Sequence, residues 1–190
     1  MSLAVQRITE MLLPEATDEQ ERDLLKYGCE LCLYTMISTT GLILLGMLWG
    51  DLPGTVTMIT VFYLLQSFGG GYHASSHIKC FSVMSVAVII GIGLMRCRLS
   101  SLCLAILSSI SALFLLLFPL ALHPNKQHLV IEQDRLRKKS RLITAAILVA
   151  AIILKVSGSD HIFRAGCIAV FFSAISRFTG VWVYSRCQRR

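Results

Sequence analysis

Four long stretches of this chain contain no charged residue and are rich in Leu, Ile and Val. They are residues 31–49, 52–78, 80–95 and 99–125. Each is near the roughly 20 apolar residues that an α-helix needs to cross a bilayer. Two mostly apolar runs follow further on, at residues 142–156 and 162–184. The pattern predicts an all-α integral membrane protein with four to six transmembrane helices in a single polytopic domain, residues 1–190.

Polar segments bound these runs. Within residues 1–23, apolar side chains recur at helical spacing while polar ones take the other face, a pattern typical of an amphipathic helix at the membrane interface. The apolar positions are Ala4, Ile8, Met11 and Leu12. Between the first two spans, Asp51, Pro53 and Gly54 predict a tight turn.

The composition excludes a soluble domain and a disordered chain. Hydrophobic residues make up 55% of the 190 positions and charged residues only 15%, whereas soluble domains carry about a quarter charged residues. The net charge of +7 comes largely from Lys and Arg at membrane edges, above all in residues 123–141. The positive-inside rule places this basic segment in the cytoplasm. We therefore expect a lipid bilayer, and no nucleic acid, as the partner of these charges.

The uncharged stretch at residues 52–78 is better divided, because Gly69, Gly70 and Gly71 interrupt it. Each glycine costs a helix about 1 kcal/mol relative to alanine. A loop is therefore predicted after the second span, on the cytoplasmic side and within residues 66–80. The backbone N–H groups of Gly70 and Gly71 are candidates for an oxyanion site, and the Gln66 amide is a candidate for donating to an oxyanion or orienting a base.

This loop is the one polar segment that combines histidine with cysteine. Cys80 needs a base to act as a nucleophile, and His73 and His77 are both available. In a continuous helix His77 would be the neighbour of Cys80, whereas His73 would stand about 10 Å away along the axis. Contact with His73 therefore requires a bent loop. A zinc protease site is not expected, because Ala74 occupies the place of the general base in His-Glu-x-x-His. No metal or cofactor is predicted.

The run Gly70-Gly71-Tyr72-His73-Ala74, with Cys80 seven positions after the histidine, resembles the signature of the accessory gene regulator B (AgrB) family of quorum-sensing endopeptidases. The likeness extends to the chain length, the apolar layout and residues 119–126. The resemblance implies that His73 and Cys80 form the catalytic pair and that the loop is bent. One position departs from the family pattern, because Gln66 stands where the family usually has an arginine.

The resemblance also implies a reaction. Cys80 would attack a backbone carbonyl of an AgrD-type precursor peptide at the bacterial cell membrane, giving a thioester that an internal thiol or hydroxyl converts into a cyclic thiolactone or lactone. A homodimer is expected from the same resemblance. Lys126 and Arg177 are candidates for binding the precursor, and Arg177 could instead snorkel to the cytoplasmic interface.

A function from another class also fits the apolar layout. A small transporter or non-catalytic membrane subunit would use the glycine loop as a re-entrant segment lining a path. Such a path requires polar side chains along several spans. The spans offer mainly Ser and Thr, which more often mediate helix packing.

Overall fold

The computed structural model describes residues 11, 19–72, 76–97, 99–121 and 130–187. Six helices lie within them: α1 (Glu19–Leu48), α2 (Leu52–Gly69), α3 (His77–Arg96), α4 (Ser101–Leu117), α5 (Val130–Val156) and α6 (Asp160–Cys187). Of the N-terminal segment predicted to be amphipathic, residues 19–23 form the start of α1, and the rest, apart from Met11, lies outside the described residues. The all-α prediction is confirmed for the part of the chain that is described.

Four of these helices are long and apolar enough to cross a membrane. Their apolar segments are Gly28–Leu48, Leu52–Gly69, Ile78–Arg96 and Asp160–Arg186. Helix α4 is equally apolar but has 17 residues, and α5 begins with a charged half before its apolar run. The observed arrangement agrees with the predicted four to six spans.

Consecutive helices run in opposite directions, because residues 49–51, 96–97, 99–101 and 160–161 meet at one end of the bundle and residues 69–72, 115–121 and 176–184 meet towards the other. The tight turn predicted at Asp51, Pro53 and Gly54 is only partly right. Asp51 does end the connection, since its Oδ1 accepts the Gly54 N–H at 3.1 Å and caps α2. Pro53 and Gly54, however, lie inside the first turn of α2, where proline is tolerated because its missing N–H has no intrahelical partner.

Helix α6 lies at the centre of the bundle. Within an apolar stretch of 18 residues in this helix 44% of the residues are buried, against 11% in the corresponding stretch of α1. The main apolar core places Ile168 of α6 with Leu42, Met58 and Ile92 from the first three helices. A second cluster joins Leu65, Leu115 and Val170. Helix α6 therefore contacts both clusters and supports the parts of α2 and α4 that approach the glycine loop.

Candidate functional site

The glycine segment separates α2 from α3. Helix α2 ends at Gly69, and Gly70 adopts φ +65° while its N–H donates to the Gln66 carbonyl at 3.0 Å. Helix α3 begins at His77, and the Ser76 hydroxyl caps it by accepting the Lys79 N–H at 3.3 Å. The division of the uncharged stretch at residues 52–78 is thus confirmed.

One side of the loop packs against the segment that follows α4. The Ala121 N–H donates to the Gly69 carbonyl at 3.2 Å, and Gly70 and Ala121 form a single parallel β-bridge. A Cβ at Gly70 would lie 2.2 Å from the Ala121 carbonyl oxygen. Glycine is therefore required at position 70 both for its positive φ and for this close approach.

The other side of the loop packs against α6. The Tyr72 N–H donates to the Ser176 carbonyl at 3.0 Å and lies 3.2 Å from the Ser176 hydroxyl. The Tyr184 hydroxyl donates to the Gly71 carbonyl at 3.3 Å. Gly180 lies between Ser176 and Tyr184 on α6, and a Cβ there would come within 2.9 Å of the Gly71 and Tyr72 backbone. One face of α6 thus forms the surface on which the loop rests.

Gln66 belongs to this surface. Its Nε2 donates to the Ser176 hydroxyl at 2.5 Å. A Cβ at Gly71 would lie 2.5 Å from Gln66 Oε1, so the amide packs directly on the loop backbone. Its predicted role, donating to an oxyanion or orienting a base, stays a prediction.

Cys80 lies in the first turn of α3. Its N–H donates to the Ser76 carbonyl at 3.0 Å, and its thiol is free and partly exposed. The next residue fixes the helix, because the Phe81 ring packs against Gly41 of α1, at 3.1 Å from the position a Cβ would take there. His77 begins the same helix, whereas His73 lies outside the described residues. The pairing of Cys80 with His73 therefore stays a prediction.

Arg177 points into the bundle. Its side chain is 1% exposed, and it donates from Nη1 to the Leu115 carbonyl at 2.6 Å and from Nη2 to the Ser140 hydroxyl at 2.9 Å. The snorkelling interpretation is therefore wrong. The other candidate for precursor binding, Lys126, lies outside the described residues.

Sequence reasoning did not identify Ser140, Ser176 or Tyr184 as part of this region. Their partners lie in distant segments, such as Tyr72 for Ser176, at a sequence separation of 104. One local signal was available, because Ser176, Gly180 and Tyr184 recur every four residues on a single face of the last apolar run.

The fold and the loop together define a polytopic α-helical membrane protein. A glycine loop packs against its last helix, and a cysteine lies in the first turn of the helix that follows this loop. The family model for accessory gene regulator B matches residues 5–177, and the chain belongs to this family. The family implies a role in agr quorum-sensing peptide processing, with an AgrD-type peptide as substrate. No curated protein and no solved structure shows a significant match to the chain.

Proposed function

We propose that the protein is a membrane cysteine endopeptidase that cleaves an AgrD-type precursor and cyclises the retained part. Cys80 is the nucleophile and His73 the general base. The observation that carries the proposal is the helix break between Gly69 and His77, which sets Cys80 in the first turn of α3. This break is what a bent path between His73 and Cys80 requires.

The position of Cys80 suits a nucleophile. The attacking form of a cysteine is the thiolate, and in this proposal the general base His73 generates it. The partial exposure of Cys80 leaves the sulfur open to a peptide.

The reaction proceeds in two acyl transfers. His73 takes the thiol proton while the Cys80 sulfur attacks the scissile carbonyl, and it returns this proton to the leaving amine as the C–N bond breaks. The retained part of the precursor is then a thioester on Cys80. A thiol or hydroxyl within it attacks the thioester carbonyl and passes its proton back through His73 to the Cys80 sulfur. The products are a cyclic thiolactone or lactone and free enzyme.

The loop residues have separate roles in this proposal. The Gly70 N–H is already donated to the Gln66 carbonyl, so we assign Gly70 to the shape of the loop. Gly71 stays the candidate for donating to the oxyanion. Gln66 orients the loop through Ser176, a task that its neutral amide performs without a positive charge.

The proposed orientation brings the loop to the cytoplasmic face, where a newly made precursor is met. Its basis is the run of exposed basic side chains in the first half of α5, which lies at the same end of the bundle as the loop. Lys126 is the candidate for contacting acidic precursor residues. Arg177 is 1% exposed, and a peptide would reach it only if the bundle opened. A homodimer is part of the proposal and is tested by cross-linking in native membranes.

The buried Thr55 hydroxyl has no hydrogen-bond partner among the described residues, but three other buried hydroxyls argue against the transporter alternative. Ser111, Thr144 and Ser173 each donate to a carbonyl four residues earlier in their own helix, at 2.8 Å. A hydroxyl committed in this way offers no donor to a passing solute.

The test uses full-length protein in membranes together with its AgrD-type precursor. We expect Cys80→Ala and His73→Ala each to abolish cleavage while the protein still inserts. His77→Ala should retain most of the activity. A thioester adduct on Cys80, detected by mass spectrometry after rapid acid quenching, would identify the intermediate.

A matched control is Cys103→Ala, because Cys103 is also free but lies in α4. It should cleave as well as the parent protein. Unimpaired cleavage by Cys80→Ala would exclude the proposed mechanism.

A further inference from the structure

A buried cation lies beside the first residue of the glycine loop. Arg177 contacts Gly69 so closely that a Cβ there would lie 1.5 Å from Nη2 and 2.5 Å from Cζ. None of the ion pairs among the described residues includes Arg177, and its Nε has no hydrogen-bond partner within them. A buried charge needs compensation, so the surroundings of this guanidinium require an explanation.

The C-terminus of one helix accepts a hydrogen bond from the guanidinium, and that of a second lies beside it. Helix α2 ends at Gly69 against the guanidinium, and α4 ends two residues after Leu115, whose carbonyl accepts from Nη1. The last carbonyls of a helix lack intrahelical partners and carry about half a negative charge together. Arg177 therefore holds the ends of α2 and α4 at one point. Its second bond, to Ser140, attaches α5 to the same point.

We propose that Arg177 is a positioning residue that fixes the start of the glycine loop and, through the loop, the approach to Cys80. Gly69 is its counterpart, because any larger residue would displace the guanidinium. The effect on catalysis rests on the function proposed above, whereas the effect on loop geometry does not. The role differs from precursor binding, which would need an accessible side chain.

The experiment compares Arg177→Ala, Gly69→Ala and the double variant in detergent micelles. Hydrogen–deuterium exchange is measured on peptides covering residues 66–80, and the rate of Cys80 alkylation by N-ethylmaleimide is measured by peptide mapping. Each single variant should speed exchange of the Gly70 to Tyr72 amides about tenfold, the change expected when charged hydrogen bonds are lost. Loop exchange in the double variant should be no faster than in the faster of the two single variants, because removing the Arg177 side chain makes room for the new Cβ.

Gly93→Ala and Gly166→Ala are the matched controls, since a Cβ at either glycine meets nothing within 4 Å. Both should leave loop exchange unchanged. Ser140→Ala removes only one acceptor of the guanidinium and should give a smaller increase than Arg177→Ala. It also keeps the test decisive if Arg177→Ala does not fold.

Unchanged loop exchange in Arg177→Ala or Ser140→Ala would overturn the proposal, and so would strictly additive effects of Arg177→Ala and Gly69→Ala. A kinetic arm separates positioning from binding. With the AgrD-type precursor, positioning predicts a fall in kcat with KM within about twofold, whereas a raised KM at constant kcat would favour precursor binding. If even the parent protein failed to cleave the precursor, the proposed function would be wrong. The exchange and alkylation rates would still test whether Arg177 fixes the loop.

Discussion

Arg164 lies near the start of α6 and Arg177 lies thirteen residues further along, and each donates to at least one carbonyl near the C-terminal end of a neighbouring helix. Arg164 reaches the Met95, Cys97 and Leu99 carbonyls at 3.0, 2.7 and 2.9 Å. Arg177 reaches the Leu115 carbonyl near the end of α4. The same chemistry thus fastens both ends of the bundle to its central helix, but only the Arg177 end contacts the glycine loop.

Arg164→Ala should lower stability without lowering cleavage. The substitution leaves three carbonyls without their charged donor, and we expect a loss of about 2–3 kcal/mol in the free energy of unfolding. Thermal unfolding in detergent micelles measures this loss, and cleavage is assayed well below the new transition.

Arg96→Ala is the control for this variant, because the more exposed Arg96 donates to the Trp49 carbonyl and lies over its ring at 5.8 Å. Arg96→Ala should lower the free energy of unfolding by less than about 1 kcal/mol. A large fall in cleavage by folded Arg164→Ala would contradict the separation of the two ends.

Ser176→Ala should impair cleavage more than stability. The Tyr72 N–H keeps the Ser176 carbonyl as its partner, but Gln66 loses the hydroxyl that holds its amide against the loop. Losing one hydrogen bond costs about 1 kcal/mol, so kcat/KM should fall about five- to tenfold. Steady-state kinetics with the precursor measures the change.

Ser173→Ala provides the matching substitution one turn earlier on the same helix. The Ser173 hydroxyl donates only within α6, to the Ala169 carbonyl, and this variant should cleave normally. Equal losses in the two variants would show that the contact with Gln66 is unimportant.

Gly70→Ala should abolish cleavage and reduce the folded fraction. The alanine would have to adopt φ +65° and bring its Cβ within 2.2 Å of the Ala121 carbonyl oxygen. Gly158 isolates the cost of the backbone angle, because it has φ +77° with nothing within 4 Å of an added Cβ. Gly158→Ala should lose only about 1 kcal/mol of stability. Similar behaviour of the two variants, by cleavage and thermal unfolding, would argue against the contact with Ala121.

Asp51→Ala should destabilise the end of the bundle opposite the loop. The buried Asp51 caps α2 and also lies 2.7 Å from His161 Nε2. Losing a helix cap costs about 0.5–2 kcal/mol. Asp51→Asn keeps an acceptor for the Gly54 N–H and should recover most of the loss. Thermal unfolding measures both variants, and a loss in Asp51→Asn as large as that in Asp51→Ala would show that the charge matters rather than the cap.

The helices and the site differ in how far the sequence predicts them. Charge-free runs mark membrane helices because the bilayer excludes charges along a fixed length. The three glycines mark the break after α2 because glycine is costly in a helix. The turn predicted at Pro53 and Gly54 is instead the first turn of α2, since these residues are typical of turns and are also compatible with a first helical turn.

Local pattern places Ser176, Gly180 and Tyr184 on one face of the last helix, but it does not predict which segment packs on that face. Ser140 lies in the basic half of α5 and Ser176 in an apolar run, and in neither setting does the local sequence show which segment its hydroxyl contacts. Arg177 was singled out as a charge inside an apolar run, but its direction depends on where α4 and α5 end in space. Such information exists only after the helices have packed.

The contacts between the loop and α6 also order events during synthesis. Tyr72 leaves the ribosome long before Ser176, which follows it by 104 positions. The loop around Gly70 therefore lacks the α6 surface on which it packs until the last helix has entered the bundle. Maturation of the loop becomes the final step of biogenesis, so a chain halted before α6 would carry Cys80 but not the braced loop that precedes it.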